Sequence, residues 1–210
     1  AVSRANPYPQ VKKLATVDDL RRRLDALDLA LDVDDSVHAA GPLSTSYAFA
    51  DASAGERTVA NRFVVLPMEG WDGTTDGAPT DLVERRWRRF GAGGAGLVWG
   101  EATAVVPDGR ANPNQLVMSP TTADALGALR AATVDAHRQR FGGDGPVVGL
   151  QLTHSGRWCR PKGAFAPRIA YEHPHLASRS PGATVLTDGD LHDLVDRYVD
   201  AAVLAQRAVF

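Results

Sequence analysis

The chain has 210 residues, enough for one domain of moderate size that buries roughly 70% of its unfolded surface. Hydrophobic residues make up 44% of the sequence and charged residues 23%, a composition typical of globular proteins. The formal net charge of −2 argues against a general role on nucleic acids or membrane surfaces, since such proteins present a basic face. No apolar run approaches the roughly 18 residues that a membrane span needs.

Cysteine usage and the N-terminus bear on where the protein works. The single cysteine, Cys159, excludes an internal disulfide framework and favours a reducing cytoplasm as the location. The N-terminus lacks the apolar core of a signal peptide. Because the sequence does not begin with methionine, the natural start can lie upstream of Ala1.

The first 60 residues are predicted to be an N-terminal approach segment with one helix. Thr16 and Asp19 are spaced as in a capping box and precede leucines that share one helical face. Residues 33–55 are a mixture of small, polar and turn-forming residues, which predicts a loop that can include short strands.

From residue 61 onwards, short apolar runs alternate with amphipathic stretches. The runs that predict strands are residues 62–68, 97–105 and 146–153. The third run ends in the polar sequence QLTHSGR at 151–157. A buried strand is expected to end in such residues only where its end faces a polar environment. The two earlier runs end in the same manner. Ligands bind at the carboxyl ends of strands in parallel α/β proteins, so three polar strand ends indicate one shared site.

A helix is predicted after each strand. A threonine caps the first helix, at 80–90; a Ser-Pro pair at 119–120 opens the second, which runs to residue 141; and a capping box opens the third at residue 187. Three successive strand-helix units imply a parallel sheet with right-handed crossovers. The loop at 154–186 has no helical period, and loops this long in compact domains are usually functional.

The predicted sheet is incomplete. Three parallel strands leave two unpaired apolar edges, which proteins rarely tolerate. The sequence stops at Phe210, where a fourth strand is due. We therefore expect either a longer polypeptide or another chain to complete the sheet.

Three segments of the sequence resemble the Old Yellow Enzyme family of FMN-dependent oxidoreductases, also known as NADH:flavin oxidoreductases. The segments are NRFVVLPM at 61–68, GLVWGEATAVVPDGR at 96–110 and GLQLTHSGR at 149–157. Their order and spacing match the first three strands of that family's barrel. The resemblance implies an α/β fold in which residues 61–210 are the first three strand-helix units of a TIM (β/α)8 barrel, with FMN across its carboxyl-terminal mouth.

The resemblance also implies which residues surround the flavin. Those implied to contact the cofactor are Pro67, Met68, Glu69, Ala102 and Gln151. Those implied to lie on the substrate side are Trp71, His154 and Arg157. In the family, NADH or NADPH reduces FMN, which passes hydride to an activated alkene, so we expect an ene-reductase with these cofactors and a small-molecule substrate.

The sequence departs from the family in two respects. Glu69 places a carboxylate where better-known branches have a small or sulfur-bearing residue, and its charge would disfavour the anionic reduced flavin unless an arginine or a proton offsets it. The family's substrate-binding histidine pair, tyrosine proton donor and phosphate-binding loops fall beyond Phe210. The catalytic residues are therefore not assigned, and we expect strands four to eight from a C-terminal remainder or from a second chain in a split-barrel heteromer.

Several residues have a structural interpretation beside the functional one. His154 and Arg157 either order the long loop by hydrogen bonds or contact a ligand. Glu101 is interpreted as a buried, paired carboxylate rather than a catalytic group. The arginine run at 85–89 is interpreted as a solvated helix face around the buried Trp87, and not as a nucleic-acid site.

Other functions were weighed against the flavoenzyme. We expect no metal site, because Cys159 stands alone and because His173 and His175 would point apart in an extended segment. The alternative function is a non-catalytic structural subunit of a split-barrel complex. A third is a different barrel enzyme that binds a phosphosugar at the same strand ends.

Overall fold

A computed structural model describes residues 10–51 and 55–210 of the chain. Residues 1–9 and 52–54 of the predicted N-terminal segment lie outside the described residues. The chain divides into two compact units, Ala1–Gly41 and Pro42–Phe210. This boundary differs from the one expected at residue 60, because a hairpin before that residue belongs to the second unit.

In the first unit, a short 3-10 helix (Val11–Lys13) precedes helix α1 (Val17–Asp25). The Thr16 hydroxyl accepts the Asp19 N–H at 3.1 Å, and the Asp19 carboxylate accepts the Thr16 N–H at 3.0 Å. These reciprocal bonds satisfy two backbone donors at the start of α1. They confirm the predicted capping box.

The second unit begins with a short 3-10 helix (Pro42–Ser44) and a β-hairpin. Its strands β1 (Tyr47–Asp51) and β2 (Gly55–Val59) pair antiparallel. They lie largely in the segment that was predicted to be a loop with short strands.

A parallel sheet of three strands is central to the second unit. Its strands are, in spatial order, β3 (Val64–Val65), β4 (Leu97–Ala104) and β5 (Val147–Thr153). The order and direction agree with the strand-helix pattern of the sequence. β3 is shorter than the predicted run of 62–68, because only two of its residues pair with β4 and the rest continue as loop.

Two helices cover one face of this sheet. α2 (Asp81–Ala92) lies between β3 and β4 in the chain, and α3 (Ala123–Phe141) lies between β4 and β5. The Thr80 hydroxyl accepts the Val83 N–H at 3.5 Å and caps α2, as predicted. α3 begins later than the predicted Ser-Pro cap, because the Ser119 N–H donates to the Thr122 hydroxyl at 3.0 Å in a turn before the helix.

The loop between β5 and the next helix is irregular. It contains 3-10 helices at Gly156–Trp158 and Ala177–Arg179 and the paired two-residue strands β6 (Arg168–Ile169) and β7 (Thr184–Val185). Helix α4 (Asp188–Arg207) follows, and it begins with the predicted capping box at Thr187. Among the described residues, no helix is both long enough and apolar enough to cross a membrane.

The two faces of the parallel sheet differ in burial. Val98 and Val148 point toward α2 and α3 and are buried in the core. The register places Val64 and Trp99 on the opposite face, where they are 46% and 44% exposed. That second face is uncovered in the part of the chain that the structure describes.

Candidate functional site

The carboxyl ends of the three strands lie side by side. The pairing of β4 with β5 sets Ala102 opposite Gln151, and Pro67, Met68 and Glu69 follow β3. Thus the residues that the family resemblance assigned to the flavin edge lie near the carboxyl ends of adjacent strands of one sheet.

The side chains of Gln151, Ala102 and Met68 differ in burial. The Gln151 side chain is half-buried, and its amide has no hydrogen-bond partner among the described residues. Ala102 is buried and small. Met68, after β3, is 75% exposed. Since polar groups in such settings normally have partners, the unpartnered Gln151 amide is available to a ligand.

Glu101 is an extra residue in β4, at a β-bulge where the register with β5 shifts. The bulge turns its side chain toward α2. The residue is 4% exposed, and its carboxylate accepts the Trp87 indole N–H at 2.9 Å, an Arg86 N–H at 2.6 Å and the Gly70 N–H at 2.9 Å. These bonds confirm that it is a buried, paired carboxylate.

Arg86 joins this carboxylate to the loop after β3. Its two terminal nitrogens donate to the Asp72 carboxylate at 2.5 and 3.0 Å. Its guanidinium lies so close to Gly70 that a Cβ there would be 2.2 Å from Nη2, so a side chain at that position would displace the guanidinium from its present place. The prediction of a solvated arginine face is therefore wrong for Arg86, which turns toward β4, although Trp87 is buried as predicted.

The rest of this loop, residues 69–73, is fixed by backbone contacts. The Thr80 hydroxyl donates to the Asp72 carbonyl at 2.6 Å. Asn114 accepts the Gly73 N–H at 3.0 Å through its carbonyl and donates its side-chain amide to the Gly73 carbonyl at 2.8 Å. Loop 69–73 is thereby attached to α2, to β4 and to the segment before α3.

Gln115 is a buried residue of the site that sequence reasoning missed. It is 2% exposed, and its Nε2 donates to the Ala102 carbonyl at 2.9 Å and lies 3.2 Å from the Thr153 hydroxyl and 3.3 Å from a Glu69 oxygen. It thus connects the ends of β4 and β5 to the loop after β3. The signal in the sequence was an amide residue directly before the apolar residues LVM, at the end of the amide-rich segment NPNQ.

Glu69 is half-buried between two donors. One of its oxygens accepts the Trp71 indole N–H, and the other accepts from Gln115. Burial raises the pKa of Glu69, the hydrogen bond from Trp71 opposes this shift, and the nearby Glu101 charge adds to it. The net effect favours the protonated form of Glu69 more than in an exposed glutamate.

Trp71 has an unusual backbone conformation. Its φ of +52° lies in the left-handed region, which costs a residue other than glycine on the order of 1 kcal/mol. The side chain is nevertheless 53% exposed. The loop therefore holds a large aromatic side chain in a constrained and accessible position.

His154 and Arg157 both bond within the long loop. The Nδ1 atom of His154 accepts the Gly156 N–H at 3.1 Å, and burial lowers the pKa of this histidine. Arg157 donates to the Leu176 carbonyl at 3.4 Å and to the Ser180 hydroxyl. These contacts support the loop-ordering interpretation, and a substrate-side role for the two residues stays a prediction.

The histidines of the long loop do not follow the extended geometry assumed from the sequence. The His175 N–H donates to the His173 Nδ1 at 3.2 Å, and the two ring centroids are 5.8 Å apart, because the chain turns there. Burial raises the pKa of Cys159 to about 11. Within residues 10–51 and 55–210, no group of three or more His, Cys, Asp or Glu side chains could hold a metal ion.

Comparison with solved structures connects this geometry to a known fold. The chain is similar to the Old Yellow Enzyme homologue from Zymomonas mobilis, with a TM-score of 0.62 and 23% identity over 81% of the chain. The Old Yellow Enzyme from Pichia sp. AKU4542 gives 0.61 and 22% over 82%. Morphinone reductase in complex with tetrahydroNAD gives 0.56 and 23% over 81%.

Over the 81–82% of the chain that aligns with these structures, its fold is that of Old Yellow Enzyme. It covers 45–47% of the length of these three Old Yellow Enzyme structures, and so spans about half of each. No protein-family model matches the chain.

Proposed function

We propose that this chain is the N-terminal part, or a subunit, of an FMN-dependent oxidoreductase of the ene-reductase type. In this proposal hydride passes from NADH or NADPH through the flavin to an activated alkene, in the cytoplasm. The observation that carries it is the sheet edge where Met68, Ala102 and the unpartnered Gln151 amide lie near the carboxyl ends of adjacent strands in an Old Yellow Enzyme fold. The tetrahydroNAD bound to morphinone reductase supports a nicotinamide as the reductant.

The residues at the strand ends fit a flavin in chemical character. The Gln151 amide offers a donor and an acceptor to the pyrimidine of the flavin, while Ala102 offers a small apolar surface. Residues 67–69 would line the edge of the ring. FMN, when bound, supplies the hydride transfer, and the protein supplies orientation and electrostatics.

Within this proposal, the negative charge of Glu69 near the flavin must be offset. An arginine could offset it, but Arg86 is already held by Asp72 and Glu101. The Trp71 indole N–H and the Gln115 amide instead each donate to one oxygen of the Glu69 carboxylate. These two donors offset part of its negative charge and so reduce its repulsion of an anionic reduced flavin.

We propose that five further strand-helix units, from a C-terminal remainder or a second chain, complete the barrel. Uncovered apolar surface supports this, since contiguous apolar patches mark interaction sites. The exposed residues are Val64 and Trp99 on the sheet, Leu66 directly after β3, and Val195, Val199 and Val203 on α4. The spacing of the three valines puts them on one side of the helix. The completing part would supply the groups that bind the FMN phosphate and activate the substrate.

The proposal is tested on the complete protein, purified with any chain that accompanies it. We expect a yellow preparation with flavin absorbance bands, from which mass spectrometry identifies released FMN. An assembly that stays colourless and takes up no FMN contradicts the proposal. A phosphosugar in place of FMN would instead support a different barrel enzyme.

The uncovered surface also favours the second candidate, a non-catalytic subunit that serves assembly. Replacing Gln151→Leu in the complete protein tests the two against each other. We expect FMN affinity to fall about tenfold, as for loss of one or two hydrogen bonds. The matched control is Gln139→Leu, at an exposed position of α3. If neither Gln151→Leu nor Trp71→Ala changes turnover, the structural role is correct.

A further inference from the structure

We infer that Gln115 and Glu69 are positioning residues, which together hold the Trp71 indole as a fixed wall for a flat, conjugated substrate. The hydrogen-bonded relay is a property of this chain. The identity of the ligand rests on the proposed function.

The relay begins at Gln115, whose amide orientation is fixed. The Ala111 N–H donates to its Oε1 at 2.7 Å, so that end of the amide is the acceptor. Nε2 therefore faces the Ala102 carbonyl, the Thr153 hydroxyl and Glu69. Because Gln115 is buried, water does not compete for these bonds.

Glu69 transmits this fixed orientation to the aromatic ring. Its two oxygens have separate donors, Gln115 on one and the Trp71 indole N–H on the other. A carboxylate that is bonded at both oxygens cannot rotate about its terminal bond without losing a contact. The indole nitrogen is thus attached, through two side chains, to the end of β4.

The backbone around Trp71 is fixed on both sides. The Gly70 N–H is bonded to Glu101, and the Asp72 carboxylate is bonded to Arg86. With its main chain fixed and its N–H engaged, the indole has one supported orientation, and about half of its surface remains exposed. A fixed and accessible aromatic ring suits a planar, conjugated ligand, which can pack against it in offset or edge geometry.

The test compares Glu69→Leu, Glu69→Gln and Trp71→Phe in the complete, flavin-loaded protein. Glu69→Leu removes the acceptor for the indole, Glu69→Gln keeps one, and Trp71→Phe keeps a ring without the N–H. For a cyclic conjugated enone, we expect Glu69→Leu and Trp71→Phe each to raise KM about tenfold, the loss typical of one hydrogen bond to a charged group. The double variant should be no worse than either single one, because both remove the same contact.

The conservative variant and the flavin half-reaction separate positioning from other roles. We expect Glu69→Gln to raise KM less than Glu69→Leu does, since its one carbonyl oxygen can still accept the Trp71 N–H while its amide NH2 replaces the acceptor of Gln115. The rate of flavin reduction by NADH or NADPH should stay the same in Glu69→Leu. Additive effects of Glu69→Leu and Trp71→Phe on KM, or a changed reduction rate with unchanged KM, would overturn the inference.

A fluorescence readout needs no bound flavin. Trp71 emission is taken as the difference between the wild type and Trp71→Phe, and the same difference is then recorded in a Glu69→Leu background. We expect lower anisotropy and stronger iodide quenching of Trp71 in that background. Trp158→Phe is the matched control, because Trp158 is also half-exposed and has no bond to Glu69.

The two readouts distinguish the possible failures. If the protein binds no FMN but Glu69→Leu loosens Trp71, the proposed function fails and the positioning role stands. If FMN binds while Glu69→Leu changes neither Trp71 anisotropy nor KM, the positioning role is wrong. Circular dichroism of each variant checks that the protein remains folded.

Discussion

The strand ends and the uncovered apolar faces of the second unit differ in how completely their groups are paired. At the strand ends, Glu101 and Arg86 each have several partners, and Gln115 is fully buried. On the far face of the sheet and along α4, large apolar side chains such as Trp99 and Val199 remain exposed. The comparison teaches that the described residues fix the polar groups at the strand ends internally, while they leave a large part of their apolar surface exposed.

The largest expected effect comes from the core between α2 and the sheet. Trp87→Ala removes a buried ring that bonds to Glu101 and lies edge-on to Phe210. We expect the free energy of unfolding of the complete protein to fall by about 3–5 kcal/mol in urea denaturation. Leu82→Ala, on the exposed side of α2, should change it by less than about 0.5 kcal/mol. Equal losses of unfolding free energy in Trp87→Ala and Leu82→Ala would show that α2 does not pack as described.

Breaking the polar network at the strand ends should have the next largest effect. Arg86→Leu leaves the buried Glu101 carboxylate without its cation, and we expect a loss of about 3 kcal/mol in the same assay. The control is Arg88→Leu, because the exposed pair of Arg88 with Glu84 contributes at most about 1 kcal/mol. Similar losses in both variants would contradict a special role for the Arg86 network.

The exposed valines of α4 test whether the apolar surface is covered in the complete protein. If the rest of the barrel covers them, Val199→Asp buries an unpaired carboxylate and destabilises the complete protein by roughly 1–3 kcal/mol. Val37→Asp, at an almost fully exposed position, should have little effect. No loss in Val199→Asp would mean that this face of α4 stays in solvent, which contradicts the proposed completion.

The smallest expected effect is a pH dependence at Glu69. Because its pKa is raised on folding, its protonated form contributes stability below its ordinary pKa of 4.5, and this contribution is lost as pH rises through the folded pKa. Glu69→Gln does not titrate. Wild-type stability should therefore fall relative to Glu69→Gln as pH increases above 4.5, as measured by denaturation at a series of pH values. A difference that is constant with pH would show that the folded pKa is not raised.

Much of the fold followed from local patterns in the sequence. The capping boxes at Thr16 and Thr187 depend on residues three apart, so they could be identified without knowledge of the fold. The parallel order of β3, β4 and β5 followed from alternating strands and helices, and the ends of β4 and β5 followed from where their apolar runs stop. β3 and the start of α3 were predicted less well, because their limits depend on pairing and on a turn rather than on composition.

The sequence by itself determined which strands carry the candidate site, since side-chain periodicity and caps are set by neighbours in the chain. Only the tertiary structure decided how that site is held. The Glu101 bulge, the inward turn of Arg86 and the Gln115 bond to Glu69 join residues 15 to 46 positions apart. The left-handed Trp71 lies between Gly70 and Asp72, which are held by Glu101 and Arg86. Long-range hydrogen bonds of this kind leave no periodic signal, because their partners meet only after the strands have packed together.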